Sequence, residues 1–197
     1  SKRYRVTFKG PGGHSYGAFG QVPSAIHGMG RAIAKIAEIK TPSFPKTTFT
    51  VGTVSGGTSV NAIAAEARMA VDMRSNSTEE LLKLEARLLE LVKEAVADEN
   101  ARWNSDKMTV EAKLIGDRPA GIVAMDSPIV QATQRAVTSV TREPRVTFAG
   151  SSTDSNIAMS LGIPAVTIGG GGEGGNWHSR NEWYKPVNAW YGPQNAL

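Results

Sequence analysis

Residues 67–95 read Ala67-Arg-Met-Ala-Val-Asp-Met73-Arg-Ser-Asn-Ser77-Thr-Glu-Glu80-Leu-Leu-Lys-Leu84-Glu-Ala-Arg-Leu88-Leu-Glu-Leu91-Val-Lys-Glu-Ala95 and carry two periods in succession. In the first part Met69, Val71 and Met73 alternate with Arg68 and Asp72, the period of a half-buried strand. Ser77 with Glu80 three residues later has the spacing of a capping box. Beyond it Leu81, Leu84, Leu88, Leu91 and Ala95 recur every three or four residues, the stripe of an amphipathic helix.

The flanking sequence supplies partners for both elements. Thr47 to Val54 alternates, with Phe49, Val51 and Thr53 on one face, and Met108 to Ile115 alternates again. Near the start, Tyr4 to Lys9 has the same period and is broken by the turn residues Gly10-Pro-Gly-Gly-His-Ser15. Between these strands Val22, Ile26, Met29, Ile33, Ile36 and Ile39 follow a helical period, with Pro23 suited to a first turn and the helix ending before Pro42. The order is β-α-β-β-α-β, which predicts a ferredoxin-like two-layer α/β (α+β) sandwich over residues 1–115. Both helices lie on one face of the sheet, and the other face is left to solvent or a partner.

Residues 116–125 lose periodicity and read as a linker. Pro128 then opens a helix with Ile129, Thr133, Val137 and Val140 on one face, followed by a short strand at Val146–Phe148. A helix from Asp154 to Leu161, stopped by Gly162, and a strand from Ala165 to Ile168 complete the pattern. Residues 116–197 are too few to cover both faces of a parallel sheet, so they read as an incomplete α/β portion of a domain.

Composition narrows the function classes. The chain has 197 residues, 40% hydrophobic and 20% charged, with no apolar run long enough to span a bilayer and no signal-peptide core in residues 1–20. It contains no cysteine, so disulfides and thiolate metal sites are excluded and His, Asp and Glu are left as metal ligands; this fits a cytoplasmic protein. The 22 basic and 18 acidic residues are scattered, without a basic stripe interleaved with aromatics, so no nucleic-acid or membrane partner is expected. The chain starts inside a strand pattern without an initiator Met, which suggests a cut end.

The run Gly169-Gly-Gly-Gly-Glu-Gly-Gly175 is expected to form a loop, because glycine has nothing to bury and loses the most backbone entropy on ordering. Gly169, Gly171 and Gly174 formally fit G-x-G-x-x-G, but no helix pattern follows to receive phosphates and a P-loop Lys-Ser/Thr is absent. Three residues later come His178 and then Glu182. They read either as a metal ligand with a carboxylate that orients it, or as a surface histidine beside aromatic residues. His14, in a glycine turn, reads either as a donor to a developing oxyanion or as a polar turn residue. Asn61, in a polar loop between strands, and Arg74, at a strand end, are candidates for holding a ligand's carbonyl or carboxylate.

Taken together, Gly12-Gly-His14-Ser15, Gly56-Gly-Thr-Ser-Val-Asn61, Asp72-Met-Arg74, Ser152-Thr-Asp154 and Gly175-Asn-Trp-His178-Ser-Arg-Asn-Glu182 resemble metallopeptidase family twenty, in order along nearly the whole chain. That family includes acetylornithine deacetylase, succinyl-diaminopimelate desuccinylase, glutamate carboxypeptidase and peptidase T. The resemblance implies a lid and dimerisation domain at 1–115 and a truncated C-terminal part of a two-zinc catalytic domain at 116–197. It implies a homodimer formed through the lid, and a peptide or N-acyl amino acid as substrate of the intact hydrolase. It further implies His14 as the lid histidine that stabilises the tetrahedral intermediate and His178 as a zinc ligand. Asn61 and Arg74 would hold substrate, and Gly171 and Gly172 would line its pocket. The family's remaining zinc ligands and its general-base Glu belong upstream, so the chain is expected to be inactive alone. The rival reading is a ferredoxin-like interaction module without catalysis.

Overall fold

The computed structural model describes residues 1–142 and 153–197, which divide into two compact units, Ser1–Ala120 and Gly121–Leu197. In the first unit β1 (Lys2–Lys9) lies inside a four-stranded sheet because both its edges are paired. After the two-residue β2 (Gly13–His14) comes α1 (Ala25–Ala37), then β3 (Thr47–Gly56), the two-residue β4 (Ala62–Ile63), β5 (Glu66–Ser75), α2 (Thr78–Arg102) and β6 (Thr109–Asp117). The sheet order is β3-β5-β1-β6, antiparallel throughout, which is the ferredoxin-like arrangement.

One face of the sheet carries the core. Tyr4, Val6 and Phe8 of β1 and Met69, Val71 and Met73 of β5 are buried against Ala25, Met29, Ala32 and Ile36 of α1 and Leu81, Leu84, Leu88, Leu91 and Ala95 of α2. The leucine stripe read from the sequence is therefore the α2 face of the core, and Leu88→Ala would cost about 3 kcal/mol. Only half of the capping box forms. Ser77 Oγ accepts the Glu80 N–H at 3.4 Å, while the Ser77 N–H donates to Ser75 Oγ and Glu80 is engaged by Lys83.

Three sequence expectations change. The first helix starts after Ser24, not at Val22, and Pro23 is buried just ahead of it; the Ser24 N–H is held by the Glu99 carboxylate of α2 at 3.2 Å. In β3 the pairing register shifts between Val51 and Thr53. This bulge at Gly52 inverts the alternation, so Val54, paired with Met69, takes the sheet face expected for Thr53 but stays exposed beyond the helices. Finally, β6 continues to Asp117 because its pairing with β1 extends to Lys2, so the expected boundary at 115 falls inside a strand.

The second unit contains α3 (Pro128–Thr141), α4 (Ser155–Ser160), β7 (Glu173–Gly175), β8 (Trp183–Lys185) and α5 (Tyr191–Ala196). The Ser127 side chain caps α3 by accepting the Val130 N–H, with Pro128 in the first turn. The expected strand at Val146–Phe148, and Ser152, lie outside the described residues. The expected strand at Ala165–Ile168 has no ladder partner among the described residues, where Val166 O and Thr167 Oγ1 bond Ser155 Oγ at the start of α4.

Candidate functional site

His14 stands on a turn built by its own ring. Its carbonyl accepts the Ala18 N–H at 2.9 Å, and its Nδ1 accepts the N–H groups of Tyr16 and Gly17 at 3.3 and 3.4 Å. The imidazole thus caps a single helical turn as a Ser or Asp caps a helix. The residue remains exposed.

The small β2–β4 ladder places His14 opposite Ala62 and Gly13 opposite Ile63, and the Ser15 N–H donates to Asn61 O at 2.9 Å. His14 and Asn61 are thereby brought together, although 47 positions separate them in the chain. The Ser59 hydroxyl donates to Asn61 Oδ1, which leaves the Asn61 amide N–H groups as the donors of that side chain. Sequence reasoning missed Ser59; the Ser-x-Asn spacing in a polar loop was the available signal.

Arg74 does not join them. It lies at the far end of β5, about 25 Å along the strand from Glu66, beside which the Asn61 loop ends. Its Nε bonds Asp72 Oδ2 at 2.7 Å, and Arg3 Nε bonds the other oxygen at the same distance. Burial pushes the Asp72 carboxyl up, but the hydrogen bonds from Arg74 and Arg3 outweigh it and hold the carboxyl below its ordinary value. Arg74 and Arg3 thus share the Asp72 carboxylate on the face of the sheet opposite the core.

In the second unit the glycine run is only partly a loop. Glu173-Gly-Gly175 forms β7 and pairs with Trp183-Tyr-Lys185 of β8. The strand forms despite its glycines because aromatic side chains lie across it: a Cβ on Gly174 would overlap the Trp177 ring, and one on Gly175 would come within 2.9 Å of Trp183 Nε1. Gly171 and Gly172, just before β7, have φ of 81° and 79°, and a Cβ on Gly172 would overlap the Tyr184 ring.

The loop between the two strands, residues 176–182, carries His178. His178 has φ 63°, an unusual backbone state for a residue with a Cβ. Glu182 Oε2 accepts its backbone N–H at 3.2 Å, and Asn176 Nδ2 reaches Asn181 O across the loop. Glu182 therefore positions His178 through the main chain rather than through the imidazole. The ring itself is exposed and makes no hydrogen bond among the described residues, so its nitrogens are open to a ligand. A zinc site needs three or more protein donors; no three His, Asp or Glu side chains are grouped to hold a metal among the described residues. His178 fits the role of one ligand, not of a complete site.

An antiparallel sheet backed by two helices, with a histidine and an asparagine presented at one end, defines a two-layer ferredoxin-like α/β domain. The family model for the peptidase dimerisation domain matches residues 1–100, just over half of the chain, and the chain belongs to this family, that of the metallopeptidase family twenty dimerisation domain. No curated protein matches. Among solved structures, a tripeptidase from Staphylococcus aureus superposes with a TM-score of 0.74 at 19% identity, over 99% of this chain and 49% of its own. Aminopeptidase PepT from Bacillus cereus gives 0.69 at 22% identity over 99% and 49%. An amidase of the hydantoinase/carbamoylase family from Burkholderia vietnamiensis gives 0.70 at 20% over 99% and 45%. The chain spans about half the length of the structures it matches. At these identities the likeness is one of fold. No helix among the described residues is long and apolar enough to cross a membrane.

Proposed function

We propose that this chain is the lid and part of the catalytic portion of a zinc-dependent hydrolase that cleaves the amide bond of a peptide or N-acyl amino acid. The membership of residues 1–100 in the peptidase dimerisation domain family carries this reading. Two zinc ions, when bound, would activate a water and polarise the scissile carbonyl. His178, with an exposed ring on a loop pinned by Glu182, would be one ligand, and the others and the general base would come from residues beyond this chain. His14 would donate to the oxyanion, and Asn61 beside it would hold the substrate's carbonyl or carboxylate. Gly171 and Gly172, whose missing side chains make room for the Ala189 backbone and the Tyr184 ring, would line the substrate pocket. Arg74, engaged by Asp72, is left out of this assignment. By itself the chain would be inactive.

The lid is also proposed to pair with a second copy through β3 and α1. Both β3 and β6 are sheet edges, but they differ in their defences. β6 carries Glu111, Lys113 and Asp117, whereas β3, Thr-Thr-Phe-Thr-Val-Gly-Thr-Val-Ser-Gly, has no charge at all. An uncharged edge invites another strand. Beside it α1 exposes Ile26, Gly30, Ala34 and Ala37 on one face, the last three small enough for a close helix approach.

The test is hydrolysis by the complete enzyme of a panel of dipeptides and acyl amino acids. Chelator-sensitive turnover that falls about 10²- to 10³-fold in His14→Ala with little change in KM is the expected result. No chelator-sensitive hydrolysis across the panel would sink the reading.

A further inference from the structure

The polar atoms around His14 prescribe more than its position. Its Nδ1 receives two backbone N–H groups, from Tyr16 at 3.3 Å and Gly17 at 3.4 Å. A ring nitrogen that accepts cannot carry a proton, so a neutral imidazole held this way must carry its proton on Nε2. The two donors are main-chain groups within a turn closed by the Ala18 N–H on His14 O, and Ala18 lies against Gly13, where a Cβ would come within 2.8 Å of the Ala18 methyl. They cannot swing away as side-chain donors do. From the other side, β2 is paired with β4, which fixes the backbone that bears the ring.

We infer that the Tyr16 and Gly17 amides are positioning groups that lock His14 in the Nε2–H tautomer, making it a dedicated hydrogen-bond donor. This rests on the reading of His14 as the oxyanion donor and deepens it. Free imidazole interchanges its two tautomers, and only one presents N–H to an oxygen that approaches Nε2. With Nδ1 occupied and Nε2 protonated, the neutral ring has no free lone pair and does not serve as the base that deprotonates water. The lock also accounts for the turn at Ser15-Tyr-Gly-Ala18: the short step from ring to amide requires a tight turn.

The lock is measurable on the full 197-residue chain without catalysis. The experiment is a long-range proton–nitrogen correlation spectrum of the ¹⁵N-labelled protein at a pH above the imidazole titrations, with His14 assigned by the signals lost in His14→Gln. His14 is expected to show a bare Nδ1 and a protonated Nε2 in at least about tenfold excess, the bias that one net hydrogen bond supplies. A mixture like that of free imidazole, or a proton on Nδ1, overturns the inference. Gly17→Pro deletes one donor and, by restricting Tyr16 ahead of it, loosens the other, and the Nδ1–H share should then rise several-fold; an unchanged share also overturns the inference. The outcome is separable from the hydrolase reading. A locked His14 together with undiminished turnover in His14→Gln enzyme would uphold the lock and remove the catalytic role, whereas a tautomer mixture removes the lock whatever the enzyme does.

Discussion

Arg31 Nε donates to Glu99 Oε2 over 2.8 Å, and that carboxylate, 1% exposed, is wholly inside the protein. Its other oxygen accepts the Trp103 indole N–H at 2.9 Å and the Ser24 backbone N–H at 3.2 Å. One side chain of α2 thus satisfies the residue that starts α1, a cation of α1 and an indole beyond the end of α2. Glu99→Ala would leave all three donors without their acceptor and is expected to cost about 3 kcal/mol. Urea unfolding at neutral pH measures it, and a loss under about 1 kcal/mol would show that water replaces the carboxylate.

The same carboxylate gives the first unit an acid limit. Burial pushes the Glu99 carboxyl up, but the bonds from Arg31, Trp103 and the Ser24 N–H pull it further down, below the ordinary 4.5. Asp72 is lowered likewise by Arg74 and Arg3. A carboxyl lowered in the folded state contributes stability that is complete above its unfolded value and is lost as pH falls through its folded value. Stability should therefore be flat from neutral pH to about pH 5 and fall below it. Glu99→Gln should flatten that fall; an equally steep acid limb in the variant would assign it to other groups.

Gly172→Ala tests the hairpin that carries His178. The new methyl would meet the Tyr184 ring, at a φ of 79° that already strains an L residue. Strain and overlap together should cost about 2 kcal/mol or more. Trp177, Trp183 and Trp190 are in the same unit, so tryptophan fluorescence during denaturation reads the change directly. A wild-type midpoint would show that the Tyr184 ring swings aside freely.

Charge placed on the β3 edge or the exposed α1 face should block self-association. Thr50→Lys and Ala34→Glu both lie at exposed positions and leave the core intact. Each is expected to convert a dimer to a monomer in sedimentation equilibrium without changing the unfolding midpoint of the monomer. A dimer that survives both substitutions uses another surface.

The β-α-β-β-α-β order and the core faces of β5 and α2 were legible in the sequence because each rests on local periodicity. A strand must alternate and a helix must repeat at 3.6 residues whenever one side is buried, so Met69, Val71, Met73 and the leucines from Leu81 to Leu91 declare their own burial. His14 and His178 stood out for a similar reason, as side chains of unusual chemistry in turn sequences.

Only the tertiary structure decided the features that depend on residues distant in the chain. The start of α1 is set by Glu99, 75 positions away from Ser24, and no propensity near Val22 contains that contact. The glycines of β7 become a strand because Trp183 and Tyr184 return to pair with them and Trp177 covers one of them. Asn61 meets His14, and Arg74 does not, because strand direction separates the two ends of β5. Periodicity reports which face of an element is buried, whereas the partner that buries it, and the polar atoms that meet there, follow from packing in three dimensions.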